Sequence, residues 1–366
     1  MTSGDKYLLF GDGESPHLLK WARELTRHFQ VHLVSSRGVC GDLRRLIPGE
    51  RVDALGLRVR EEGGNFRILL SLPRLRRILK RVNPRFVNAH YLTSHGLLAA
   101  ILKKGSFRRP FTLIQSTWGT DILVTPFRNG AYRLAARFAL GQADLVTSDS
   151  EFMSRAIGRL TDRPVLTFPF GPEKMPPLDP EGKKPGLFYS NRALAENSNI
   201  PEIIRFFGRI ARERAEAALV VANDGGQRRA LEEMVRRAGL ENRVRFAGFL
   251  SREAQERMYG QARFYLSLPA SDATSVSLLE AMAHGCIPIV SDIPANREWV
   301  RHGENGLLYR EGLPLAEIEA MDRRWEAVAG ENRRIISERA LFPERMRSVF
   351  IPRLLGRGAP RREERS

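Results

Sequence analysis

Short apolar runs alternate with stretches of helical spacing along most of the chain. Residues 7–10 are apolar, the small polar segment Gly11-Asp12-Gly13-Glu14-Ser15 follows, residues 18–29 have helical spacing, and residues 31–34 are apolar again. Such runs are short and apolar throughout, as in strands of a parallel sheet covered on both faces. Further strands are expected at 86–89 and 111–115, with an apolar helix at 96–102 between them. Residues 173–186 are rich in Pro, Lys and Asp and have no period. Beyond them the alternation resumes, with strands at 187–190, 218–222, 244–249 and 264–268 and helices at 200–213 and 253–261. Alternation of this kind predicts doubly wound α/β domains, and 366 residues are enough for two. The aperiodic segment is the expected linker.

The densest pattern covers residues 268–309. A small, polar loop leads to Thr274, Ser275 and Ser277, each able to cap a helix. Leu278, Leu279, Met282 and Ala283 have helical spacing, Gly285 stops the helix, and 286–290 is a buried strand. The start of such a helix offers free N–H groups and the positive end of the dipole to an anion. Glu280 lies one turn inside, where a carboxylate can accept from sugar hydroxyls beside a bound phosphate. Ser277 and Glu280 also fit the S-x-x-E capping box, in which Glu280 satisfies only a backbone N–H.

This stretch resembles the donor site of family-4 glycosyltransferases. Asp272 and Glu280 stand at the ends of the family's E-x7-E, with Asp272 in place of the first Glu. Ala281, Met282, Gly285, Pro288, Glu298, Gly303, Asn305 and Gly306 follow in the family's order. Residues 143–150 and 168–171 resemble its A-D-x-V-x-x-x-S and p-x-G segments. The resemblance implies the GT-B fold, an α/β architecture of two Rossmann-like domains facing across a cleft. It divides the chain into an acceptor domain (1–172), a linker (173–186), a nucleotide-sugar domain (187–334), a helix crossing back to the first domain (335–355), broken near Pro343 and Pro352, and a disordered basic tail (356–366). It further implies a retaining, metal-independent sugar transfer from a nucleotide sugar, UDP- or GDP-linked, to an acceptor hydroxyl. Asp272, Glu280 and Arg192 are then the catalytic set. Gly13, Asn197, Asp224, Gly225, Phe249, Thr274, Ser275, Val276 and Ser277 are expected around the donor, and Glu14, His90, Thr120 and Asp121 at the acceptor side of the cleft. Asn197 stands where the family has a Lys, and Trp118 where it often has a His. Taken alone, the GDGES segment is equally a tight turn, Asp121 a helix cap or turn residue, and His90 a packed histidine. A non-catalytic nucleotide-sugar-binding protein that keeps the fold is the alternative.

Charge adds a partner. The formal net charge is +17, which favours anionic partners, although the dominance of Arg also fits a genomic bias. Residues 71–86 are amphipathic: Leu72, Leu75, Ile78, Leu79 and Val82 share one face, and Arg74, Arg76, Arg77, Lys80 and Arg81 cover the rest. That face can lie on anionic lipid or simply be solvated. Lys103, Lys104, Arg108 and Arg109 add charge in the same half. No nucleic-acid-binding module is recognisable, so no nucleic-acid partner is expected. Cys40 and Cys286 form no motif, which suits a reducing cytoplasm and implies no metal site. No signal pattern opens the sequence, and no apolar run approaches the ~20 residues of a membrane span. The expected setting is the inner face of the plasma membrane, with a lipid-linked or saccharide acceptor from bacterial polysaccharide, lipopolysaccharide or glycolipid synthesis.

Overall fold

The structure is a computed structural model that describes residues 4–57, 66–105 and 111–356. Arg108, Arg109 and the tail from 357 onward lie outside the described residues. The chain forms two compact units, Met1–Phe168 with Met346–Ser366, and Pro169–Arg345.

The first unit is built on a seven-stranded sheet of order β3-β2-β1-β4-β5-β6-β7. The strands are β1 (Lys6–Gly13), β2 (Gln30–Val39), β3 (Val52–Ala54), β4 (Phe86–His90), β5 (Thr112–Ser116), β6 (Leu145–Ser148) and β7 (Val165–Thr167). All pairs are parallel, and Tyr7 to Phe10 and Leu33–Val34 are fully buried. The order reverses between β1 and β4, so the chain leaves these two strands toward opposite sides, opening a crevice at their carboxyl ends.

The Gly11–Gly13 segment is not a turn. It continues β1, because Gly11 pairs with Ser35 and Gly13 with Val39 of β2 across a local irregularity. Helix α1 (Pro16–Leu25) follows, capped by Ser15, whose Oγ accepts the His17 N–H at 3.3 Å. Helix α2 (Leu72–Val82) turns Leu75, Ile78, Leu79 and Val82 inward and leaves Arg76, Arg77 and Lys80 exposed. It packs beside α3 (Leu97–Lys104), which packs beside α4 (Gly130–Gly141).

The expected helix over 335–355 is divided between the units. Ile335 lies inside the helix Trp325–Arg339 of the second unit, and a second helical run follows, made of Phe342–Arg345, a π-helical turn at Met346–Phe350 and Ile351–Leu354. Pro343 stands in the first turn of this run, where a missing N–H costs nothing, and Pro352 follows the π turn, where the i to i−4 ladder is already interrupted. From Met346 the chain belongs to the first unit, where the Phe350 ring meets Trp21 edge-on at 5.0 Å.

The second unit has a six-stranded parallel sheet of order β10-β9-β8-β11-β12-β13. Its strands are β8 (Lys184–Ser190), β9 (Ala218–Ala222), β10 (Val244–Gly248), β11 (Ala262–Ser267), β12 (Ile287–Ser291) and β13 (Leu307–Tyr309). One face buries Phe188 stacked on Phe264 at 4.5 Å, and the other buries Tyr189, Tyr265 and Met282. Residues 173–186 are not a free linker here. Lys183 is buried and its Nζ donates to the carbonyls of Tyr259 (2.8 Å) and Ala262 (2.7 Å). Glu173 pairs with Arg252 at 3.0 Å, Leu178 packs on the core, and β8 already begins at Lys184. Lys174, Asp179, Glu181 and Lys184 remain exposed, so the segment is anchored at particular residues and solvated between them. The sheet order reverses between β8 and β11, which marks a second crevice at the carboxyl ends.

Candidate functional site

The carboxyl ends of β8 and β11 carry the residues on which the expected chemistry depends. Helix α5 (Val276–Ala283) starts after β11 and is capped by Ser275, whose Oγ accepts the Leu278 N–H at 3.3 Å. Gly285 ends it with φ +74°. The Gly285 N–H returns to Met282 O and the Cys286 N–H to Ala281 O, a Schellman closure that requires the left-handed residue. The capping-box arrangement of Ser277 with Glu280 is not formed: Ser275 is the cap and Leu278 occupies the third helical position. Ser277 instead meets Ser275 Oγ at 3.0 Å and accepts from Tyr265 Oη at 2.8 Å.

Arg192 leaves the end of β8 and reaches the start of α5. Its Nη1 donates to Ser275 Oγ at 2.8 Å, and its Nη2 lies 2.9 Å from Asp272 Oδ2. A guanidinium beside a helix N-terminus adds positive charge where the dipole already supplies some, which favours an anion there. Asp272 provides one negative charge, and its Oδ1 also accepts the Ala273 N–H at 2.9 Å. Glu280, half-buried, accepts from Tyr259 Oη at 3.3 Å. Burial, and then the Glu280 charge, hold the Tyr259 phenol well above its ordinary pKa, so it remains a donor.

The neighbouring strands add to the same edge. After β9, Asn223 takes φ +81°, and Asp224 pairs with Arg228 at 3.1 Å. A Cβ on Gly225 would lie 2.5 Å from Leu194 O, so only glycine fits against that backbone. Phe249, after β10, is 78% exposed. Thr274 is buried in the loop before α5, and Val276 opens the helix half-buried. Asn197 faces the loop that precedes α5. Its Nδ2 donates to Ser271 O at 2.9 Å and its Oδ1 accepts the Ser271 N–H at 3.1 Å, so it fixes the loop that carries Asp272.

In the first unit, Gly13 ends β1, Glu14 follows it and His90 ends β4, the two strands of that unit's crevice. Gly13 donates its N–H to Ser35 Oγ at 2.8 Å, and Glu14 pairs with Arg37 at 2.9 Å. His90 is buried, its ring 5.6 Å from Trp118 and edge-on to Trp21 at 5.0 Å. Burial pushes its pKa down to about 3, and among the described residues neither ring nitrogen has a hydrogen-bond partner. Thr120 is exposed and meets Tyr91 Oη at 3.3 Å. Asp121 is not presented to a crevice. It is fully buried and accepts the Leu92 N–H at 2.8 Å and the Trp118 N–H at 2.9 Å, clamping two loops together. Burial raises its pKa to about 6.

Residues 6–150 match the family described as Glycosyl transferase 4-like, and residues 172–339 match Glycosyl transferases group 1. The chain belongs to the family-4-like GT-B glycosyltransferases. It is 25% identical over 247 residues to N-acetyl-alpha-D-glucosaminyl L-malate synthase of Bacillus anthracis, covering 64% of each chain. It is 26% identical over 143 residues to alpha-monoglucosyldiacylglycerol synthase of Streptococcus pneumoniae, covering 38% of this chain and 32% of the relative. The chain thus spans less than two thirds of the length of these curated relatives. Among solved structures, Anabaena Alr3699/HepE in complex with UDP superposes with a TM-score of 0.72 at 17% identity, over 91% of this chain and 95% of that one.

Two features of the site carry little signal in the sequence. Asn191, Tyr259 and Tyr265 form a layer beneath Ser277 and Glu280: Asn191 Nδ2 donates to Tyr259 Oη at 2.8 Å, and Tyr265 Oη lies 3.0 Å from Asn191 Oδ1. Their one sequence signal was Asn191 standing next to Arg192 at a strand end. In the loop that carries Gly303 and Gly306, buried Asn305 accepts the Arg301 N–H at 2.7 Å and donates to Asn332 at 2.9 Å. Its place in the glycosyltransferase motif therefore has a packing cause.

Proposed function

We propose that the protein is a retaining glycosyltransferase that uses a UDP-sugar and acts on a saccharide or lipid-linked acceptor of the bacterial cell surface. The convergence of Arg192, Asp272 and Ser275 at the start of α5, at the switch point of the sheet, carries this reading. In it, the α5 N–H groups and Arg192 hold the diphosphate. As the bond from the anomeric carbon to the diphosphate oxygen breaks, its electron pair stays with that oxygen, and the same cations take up the charge. The acceptor oxygen bonds to the anomeric carbon on the face that the diphosphate leaves, and its proton passes to the departing diphosphate oxygen. Glu280 accepts from the ribose hydroxyls, and Asp272 contacts the transferred sugar.

The choice of UDP is supported by the Anabaena neighbour, solved with UDP. A lipid acceptor is supported by the pneumococcal relative, named for a glucosyldiacylglycerol. No helix of the described residues is long and apolar enough to cross a membrane. With a net charge of +17, the proposed attachment is peripheral, at the cytoplasmic face of an anionic bilayer.

A thermal-shift panel of UDP-, GDP- and ADP-sugars tests the donor. A ligand bound only by the folded state at 100 times its Kd adds about 2.7 kcal/mol, so UDP-sugars should raise Tm by several degrees. No shift with any of them contradicts the proposal. Asp272→Ala should keep the response to free UDP, since it releases Arg192, while losing most of the extra response to the sugar. Equal losses for both ligands would remove Asp272 from the sugar.

A further inference from the structure

The outer side of the α2–α3–α4 layer carries exposed apolar side chains among cations. Val124, Phe127 and Leu134 are 39%, 60% and 70% exposed, on the loop after β5 and on α4. On α4, the buried Ala136, Ala139 and Leu140 face the core, so Leu134, two positions before Ala136, projects to the opposite side. Exposed Arg133 and Arg137 flank it, and exposed Lys104 at the end of neighbouring α3 lies over the Phe138 ring at 5.4 Å. Between Ile122 and Gly141 the sequence contains no acidic residue.

Large apolar side chains projecting between arginines are costly in water and productive at a lipid headgroup boundary. A second copy of the chain would bring the same cationic surface against itself in a two-fold contact, which like-charge repulsion opposes. We infer that this surface docks on an anionic phospholipid bilayer, with Phe127 and Leu134 entering the headgroup layer and Arg133, Arg137 and Lys104 meeting lipid phosphates. The inference rests on the membrane-acceptor reading above and gives it a location. The loop bearing Phe127 follows the carboxyl end of β5, next to β4, so docking would bring that end of the sheet to the lipid. The amphipathic α2 is a poorer anchor, because its apolar face is consumed by the core.

The test is co-sedimentation of the full chain with vesicles of phosphatidylcholine alone or mixed with phosphatidylglycerol, at low and high salt. The wild type should partition to the mixed vesicles at low salt. Phe127→Ser with Leu134→Ser should weaken this about tenfold. Arg133→Gln with Arg137→Gln should weaken it about 25-fold and flatten the salt dependence. UDP-sugar hydrolysis and Tm, measured on the same preparations, should be unchanged in both variants. Wild-type partition that survives both pairs of substitutions overturns the location while leaving membrane attachment standing. No wild-type partition to anionic vesicles at low salt overturns both. Sugar transfer itself is judged separately, by donor turnover.

Discussion

Arg192→Ala should lower turnover about 100-fold or more. Its guanidinium stands at the start of α5, held there by Ser275 Oγ at 2.8 Å and Asp272 at 2.9 Å. Charge developing on a leaving diphosphate is met in place by such a group, and removing one preorganised donor of this kind costs about 10²–10³ in kcat. The substitution also leaves Asp272 facing the site without its countercharge, which further repels a diphosphate. Arg192→Lys should recover part of the affinity and little of the rate, since an ammonium lacks the planar fork. Steady-state kinetics with the UDP-sugar of highest affinity decide it, and kinetics of Arg192→Ala indistinguishable from wild type would remove the residue from the chemistry.

Glu280→Gln should keep the fold and lose about 10- to 100-fold in kcat/KM. Loss of a charge-assisted hydrogen bond costs about 1.5–3 kcal/mol. Gln retains an oxygen for the Tyr259 hydroxyl, now 3.3 Å from Glu280 Oε2, so the layer beneath the site stays closed. The cap of α5 is Ser275, so no helix-capping bond is lost. Tm should therefore change little while UDP affinity falls. Wild-type affinity and turnover in this variant would show that the carboxylate serves the fold alone.

The 268–309 stretch was legible because its signals are local. A serine cap, a helical run, a left-handed glycine and a buried strand each follow from neighbouring residues, and α5 and β12 form accordingly. Arg192 was singled out by the family resemblance, and its place just after a strand agrees with the sheet. What stayed hidden depends on partners distant in sequence. Asn197 is defined by Ser271 and Asp121 by Leu92, each across tens of residues. Gly11–Gly13 read as a turn because glycine and aspartate are common there, yet pairing with β2 overrides the local preference. Residues 173–186 looked like a linker because composition does not reveal that Lys183 is buried against the carbonyls of Tyr259 and Ala262. The division near Met346 follows from which core the aromatic rings enter, and Phe342 and Phe350 enter different ones.

The most direct measurement is UDP release from a UDP-sugar by the purified chain, followed by proton NMR of the anomeric signal in the product. UDP release should be strongly reduced in Arg192→Ala, and the glycoside formed should keep the anomeric configuration of the donor. UDP-sugar binding without any turnover, in the presence of saccharide and lipid-linked acceptors, would contradict this and identify a nucleotide-sugar-binding protein on the same fold.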